Sequence, residues 1–324
     1  MPIARRAVLL VPAAAAGAAR AAAHDFPSRT VTVIVPFPPG GATDIIARPL
    51  GAALQRIWGQ SVVLQNRGGA GGAIGMAAAA QARPDGYTAL IAHVSYSSIL
   101  ASDALFGREP GFNRAALEPV ALLTADPMIM VVRADAPWRT WPDLLEDAKR
   151  KPGAIAYASS GPYSAVHLPF EMLAQAGGVR LNHVPYGGGG PAVTAVLGGQ
   201  VAATSSVPLV VAPRIASGEM RALVGTGARR SALLPDVPTA AELGFRDVEF
   251  YLWVGLFSQA GVDPAVLGRL RDGVSQAVRE PELLRQLQAG GSVIEHLDGQ
   301  AFRRFLDRDQ ERVEAAVRRI GRVE

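Results

Sequence analysis

Four times along this chain an apolar run gives way to a turn crowded with glycine or small hydroxyl residues, and a stretch of helical spacing follows. The turns are "PFPPGGATD" (36–44), "NRGGAGGAIG" (66–75), "ASSGPYSAVH" (158–167) and "VPYGGGGPAV" (184–193). Strand, turn and helix repeated in that order commit a chain to sheets covered by helices, because each crossover must carry the backbone across a sheet face. "TVTVIVPF" (30–37) alternates and is β-branched, as strands are. Residues 42–58 then bring Ile45, Ile46, Leu50, Leu54 and Ile57 to one helical face, and Pro49 inside that stretch predicts a kink or local break. Strands over 61–66 and 86–94 flank an alanine-rich helix over 72–82.

The rhythm restarts after residue 126. Strands are expected at 127–135, in "AIAYAS", at 181–186, at 200–206 and at 220–227, with helices near 164–176 and 191–198. Thr140 has the chemistry of an N-cap for a helix with acids early and bases late. The whole pattern predicts a mostly parallel sheet. "VEFYLWVGLFSQ" (248–259) is long enough to run between two domains. A chain of 324 residues also favours two domains. The C-terminal stretch reads as one amphipathic packing helix, with Phe302, Phe305, Leu306, Val313, Val317 and Ile320 on one side.

"MPIARRAVLLVPAAAAGAARAAA" has the basic start, apolar middle and small-residue end of a secretory signal peptide, with cleavage expected near Ala23. The Arg5-Arg6 pair leaves export by the Sec or the twin-arginine route open. The apolar run is too short for a membrane span. The chain has no cysteine, which excludes disulfides, thiolate chemistry and a lipidated N-terminal cysteine. An exported protein without a lipid anchor is expected in a periplasm. The formal charge of +4 includes Arg5, Arg6 and Arg20, so the mature chain is nearly neutral. No basic stripe interleaved with aromatics suggests nucleic acid.

Each of the four turns should present unpaired backbone N–H groups at a helix N-terminus, where partial positive charge favours an anion. Glycine lets the backbone come close to a ligand. Tight chain geometry alone explains any single turn better than a ligand does. Two turns in each half point instead to a shared cleft. A nucleotide fits poorly, because Ile74 stands where G-x-G-x-x-G needs glycine and no turn ends in G-K-[ST]. With no Lys or Arg directed at phosphate, a carboxylate is the better ligand. The five histidines form no H-E-x-x-H, and no G-x-S-x-G exists. Ser159, Ser160, Ser164, Ser205 and Ser206 read as hydroxyl donors, and His167 and His183 as packing residues. An exported carboxylate-processing enzyme is the alternative from another class, and no cofactor or metal is expected.

The ordered string "VPFPPGGATDIIAR", "NRGGAGGAIG", "PDGYTAL", "YASSG…H", "HVPYGGGGPA" and "LPDVPTAAELGF" closely resembles the Bug family, the extracytoplasmic solute receptors of tripartite tricarboxylate transporters. The resemblance runs from about residue 26 to the C-terminus. It implies an α/β, two-lobed periplasmic-binding-protein fold (type II-like), each lobe a βα sheet domain with the ligand cleft between them. Lobe 1 would comprise 24–125 plus 253–324, and lobe 2 would comprise 126–252. It further implies a monomer that captures a small organic acid for membrane transporter subunits or for a sensor protein, without a reaction.

Carried over by position, Pro38, Gly40, Gly41, Ala42, Thr43 and Asp44 form the first-lobe loop, with Thr43 a donor and Asp44 a cap or brace. Gly69, Ala70 and Gly71 close that side, and Ser95 reaches in from the third strand. In the second lobe Ser159, Gly161, Ser164 and His167 match one family loop, and Tyr186 and Gly188 another. Three departures matter. Ser205-Ser206 replaces the Asp-Asn of amino-acid-binding members, which predicts poor binding of α-amino acids. Pro162-Tyr163 replaces a small pair, so Tyr163 either meets the ligand or is a solvent-exposed loop aromatic. Gly187 stands where many members carry Lys.

Overall fold

The computed structural model describes residues 26–292 and 294–322, so the expected signal peptide lies outside the described residues. Two sheets organise the chain. The first is fed by β1 (Val31–Val35), α1 (Ala42–Trp58), β2 (Val62–Asn66), α2 (Ala73–Ala80), β3 (Thr88–His93), α3 (Ser95–Phe106) and β4 (Leu117–Pro127). The chain then enters the second sheet through β5 (Ile129–Arg133), α4 (Trp141–Arg150), β6 (Ala156–Ser159), α5 (His167–Ala176) and β7 (Asn182–Pro185). It continues there with α6 (Gly189–Leu197), β8 (Ala203–Ser206), α7 (Pro208–Ala216) and β9 (Met220–Gly225). β10 (Tyr251–Gln259) returns it to the first sheet, followed by α8 (Pro264–Ala277), α9 (Pro281–Ala289), β11 (Ile294–Asp298) and α10 (Gly299–Ile320).

Strand order is β11-β4-β10-β3-β1-β2 in the first sheet and β7-β6-β8-β5-β9 in the second. Both are mixed rather than mostly parallel. The βα units do give parallel neighbours, β1 with β2 and β3, and β6 with β7 and β8. β4 carries the chain out of the first sheet and β10 brings it back alongside. Neighbours that leave and return must run in opposite directions, and the two pair antiparallel from Tyr251↔Pro127 to Gln259↔Leu117. β10 is then antiparallel to β3, as β5 is to β8 and β9.

Local chemistry sets most element ends. Thr140 caps α4 in a capping box, its hydroxyl accepting from the Asp143 N–H while the Asp143 carboxylate accepts from Thr140 N–H at 2.9 Å. Pro49 neither ends nor divides α1, which runs on to a left-handed Gly59. The proline deletes one backbone donor, but Ile46, Leu50, Ala53 and Leu54 on both sides of it are buried in the core and hold the helix together. α10 buries Phe302, Leu306, Val313, Val317 and Ile320, as its spacing predicts. Its Asp309 is buried and accepts from Ser97 Oγ at 2.7 Å and Trp253 Nε1 at 2.8 Å. Phe302 lies on β10 only because residue 255 is glycine, since a Cβ there would stand 2.2 Å from the ring.

Candidate functional site

The carboxyl ends of β1, β2 and β3 face those of β6 and β7 across a cleft, and the glycine-rich turns meet there. A Cβ on Gly190 would lie 3.0 Å from Pro39 O, and one on Gly188 would lie 2.8 Å from Pro38 Cδ. Gly161 faces Gly71 less tightly, its Cβ position 3.8 Å from Gly71 Cα, an ordinary contact distance. The lobes therefore meet with Gly188 and Gly190 against the Pro38-Pro39-Gly40 segment, closer than a Cβ on either glycine would allow.

The 36–44 turn is braced from below. The buried Asp44 carboxylate accepts from Gly40 N–H at 3.0 Å, from Asn66 Nδ2 at 3.0 Å and from Arg48 Nε at 2.9 Å. Asn66 also donates to Phe37 O at 2.9 Å. Burial opposes the charge on Asp44, but the Gly40 N–H, the Asn66 amide and the Arg48 guanidinium together hold its carboxyl below the ordinary range. Asp44 is thus a brace, and its acceptor capacity is spent on protein. Gly41, at the N-cap of α1, offers no side chain to the first-turn N–H groups, which leaves them for the cleft. The 67–72 turn is held open by positive φ at Gly69, Ala70, Gly71 and Gly72. For Ala70 this region carries strain that glycine avoids.

In the second lobe the 159–166 turn rests on two histidines. Ser159 Oγ accepts from Gly161 N–H at 3.0 Å and lies 2.5 Å from His183 Nε2. His167 is fully buried, and its Nδ1 accepts from Tyr163 N–H at 2.9 Å. Burial, reinforced by His183, pushes the His167 pKa down to about 3, and burial takes His183 to about 4. Both rings are neutral supports. Ser205 Oγ donates to Val166 O at 3.2 Å and so also underpins the turn. Alternation along β8 turns Ser206 the other way.

Two neighbouring cavities lie between the lobes at the turns. A small cavity of about 20 Å³ is lined by Gly41, Ala42 and Thr43 from one side and by Ser160, Gly189 and Ser206 from the other, with Phe37, His93 and Met128 at its base. Beside it, and sharing Ser160, is a cavity of about 610 Å³. Ala70, Gly71 and Ser95 line it from the first lobe, and Gly161, Tyr163, Ser164 and Tyr186 from the second. Ser95 Oγ and Ser98 Oγ are buried there without a hydrogen-bond partner among the described residues, although buried hydroxyls are normally hydrogen-bonded.

The sequence-predicted residues therefore divide. Gly41, Ala42, Thr43 and Ser206 line the small cavity; Ala70, Gly71, Ser95, Gly161, Tyr163, Ser164 and Tyr186 line the larger one. Pro38, Asp44, Gly69, Ser159, His167, Gly188 and Ser205 line neither, and act as braces, contacts or packing beneath the turns. Gly40 borders an outer hollow with Tyr186 and Gly190. Sequence reasoning missed Phe37, His93, Ser98 and Gly189. Ser95, Ser98 and Ser102 sit at i, i+3 and i+7 on α3, a stripe that spacing could have exposed.

Tyr163 is 3 % exposed, not a solvent-facing loop aromatic. Its ring meets Phe106 edge-on at 5.9 Å, and its hydroxyl donates to Gly321 O at 2.8 Å. A second-lobe side chain is thereby tied to the first lobe. No group of three His, Asp or Glu among the described residues is placed to hold a metal ion.

The architecture and the sequence both have relatives. The model of a family described as tripartite tricarboxylate transporter family receptor matches residues 46–322. Protein BugT of Bordetella pertussis is 34% identical over 304 residues, covering 94% of this chain and 93% of BugT. The solved periplasmic binding protein BugD superposes with a TM-score of 0.86 at 30% identity, covering 91% of this chain and 99% of BugD. MatC from Rhodopseudomonas palustris, solved with bound malate, gives 0.84 at 29% identity, with 90% of this chain and 99% of MatC covered.

Proposed function

The chain belongs to the tripartite tricarboxylate transporter receptor family, and from that premise we propose that it captures a small organic carboxylate in the cleft between its lobes and hands it to a membrane transporter. The family consists of periplasmic solute-binding receptors rather than enzymes. The observation that carries the reading is the small cavity. Its lining combines the N-terminus of α1 with the hydroxyls of Thr43, Ser160 and Ser206 and contains no charged side chain. Such a lining suits an oxyanion met by neutral donors from both lobes at once. That MatC was solved with malate supports the same chemical class.

Size refines the proposal. About 20 Å³ is room for one or two water-sized groups, on the basis of roughly 10–15 Å³ each. One carboxylate head fits there, and the rest of the acid extends past Ser160 into the larger cavity, toward the unpartnered Ser95 and Ser98 hydroxyls. Ser205 and Ser206 provide no carboxylate for an ammonium, so α-amino acids are disfavoured. We place the lobe boundaries near residues 126 and 252, where β4 and β10 cross side by side. Bending there opens the cleft, and contacts made from both lobes favour the closed form.

Calorimetry and thermal shift on the purified mature protein test this with malate, succinate, adipate, citrate, benzoate and aspartate. Binding of at least one acid, with aspartate weaker than malate, is the expected result. A panel in which none of the acids binds would overturn the proposal, as would turnover of a bound acid.

A further inference from the structure

We propose that His93 contacts the ligand, donating an uncharged Nε2–H hydrogen bond to the carboxylate held in the small cavity. The inference deepens the carboxylate reading and rests on it. His93 ends β3, paired with Val254 of β10, and it lines the cavity opposite Ser160 and Ser206. It is the last residue of a strand whose carboxyl end opens into the cleft, the position from which α/β sheets reach their ligands.

Two contacts fix the ring. It lies flat on Phe37, with centroids 4.2 Å apart and planes 13° apart. Its Nδ1 accepts from Ser95 N–H at 3.0 Å. A nitrogen that accepts a backbone N–H carries no proton, so in the neutral ring the proton sits on Nε2. The Nδ1 contact is the one hydrogen bond that the His93 side chain makes among the described residues, and Nε2–H is left for the cavity. Protonating Nδ1 would set two N–H groups against each other, and burial separately holds the pKa down to about 3. The ring is therefore a fixed neutral donor.

This adds to what the turns supply. Helix N–H groups and hydroxyls meet the carboxylate from both lobes, and His93 meets it from the floor of the first sheet. His93, the one polar side chain at the base of the cavity, then donates, and the lining holds no carboxylate to pair with a ligand ammonium.

Two substitutions separate the donor from the ring. His93→Phe keeps the stack on Phe37 and removes the donor, whereas His93→Gln carries an amide N–H to about the same place. Titration with malate and adipate should show His93→Phe weakened ~10- to 100-fold and His93→Gln largely restored. Undiminished affinity in His93→Phe overturns the inference. If the wild type binds no acid of the panel, the carboxylate reading fails first and this one falls with it; if it binds another acid of the panel instead, that acid replaces malate and adipate in these titrations. Long-range ¹H–¹⁵N spectra of the unliganded wild type give a test that needs no variant. An Nε2-protonated His93 is expected, with its signal moving on addition of malate, and an Nδ1-protonated ring overturns the proposal.

Discussion

Gly190→Ala should weaken ligand binding while leaving the protein as stable as before, or slightly more so. Gly190 is the second residue of α6, where alanine favours the helix by at most about 0.8–1 kcal/mol, the value for a helix interior. Its new Cβ would stand 3.0 Å from Pro39 O and 3.2 Å from Gly40 C. Those atoms belong to the turn that Asp44 and Asn66 brace, so they cannot move aside cheaply. The strain exists only while the lobes touch, and overpacking of this kind costs about 1–3 kcal/mol. The open form pays nothing, so the whole cost falls on closure and appears as ~5- to 150-fold weaker binding. Gly188→Ala should behave alike, its Cβ 2.8 Å from the Pro38 ring. Gly268→Ala on α8 is the control, because a Cβ there meets nothing within 4 Å. Calorimetry with the tightest acid of the panel gives affinity, thermal melting gives stability, and X-ray scattering reports closure at saturation. Wild-type affinity in Gly190→Ala, or an equal loss in Gly268→Ala, would refute the reasoning.

Asp44→Ala should cost about 2–4 kcal/mol in urea unfolding, since it strands Gly40 N–H and the Asn66 amide. Because the native carboxyl titrates below its ordinary range, its contribution is complete above the unfolded pKa and is lost as pH falls through the native value. The gap between wild type and Asp44→Ala should accordingly be constant at neutral pH and narrow only in acid. Tyr163→Phe removes the bond to Gly321 O but keeps the ring contact with Phe106; thermal melting should register a loss of about 1 kcal/mol. Ser206→Asp places a carboxylate in the small cavity. Malate affinity should drop steeply and aspartate should bind better relative to malate, and an unchanged ratio of the two would count against the neutral-donor lining.

Much of this protein is determined locally along its chain. Alternation and helical spacing depend on neighbours a few residues away, so β1, α1 and the amphipathic face of α10 follow from the order of residues. The Thr140 cap and the brace role of Asp44 are local chemistry of the same kind. α3 escaped because its buried face is a stripe of serines, which lacks the apolar contrast that marks a helix. The direction of β4 and β10 also escaped, since nothing local tells a strand which neighbour it will join. The turns were legible as a set, but their division of labour was not. Ser205 and Ser206 are adjacent and chemically identical. The register of β8 points one beneath the loop at Val166 and the other into the cavity. His93 and Ser160 become neighbours only when segments more than sixty residues apart close on each other. Composition and spacing settle what a segment becomes, because those interactions are short in sequence. Which hydroxyl meets the ligand is settled by the approach of two lobes, and that information resides in no single stretch of the chain.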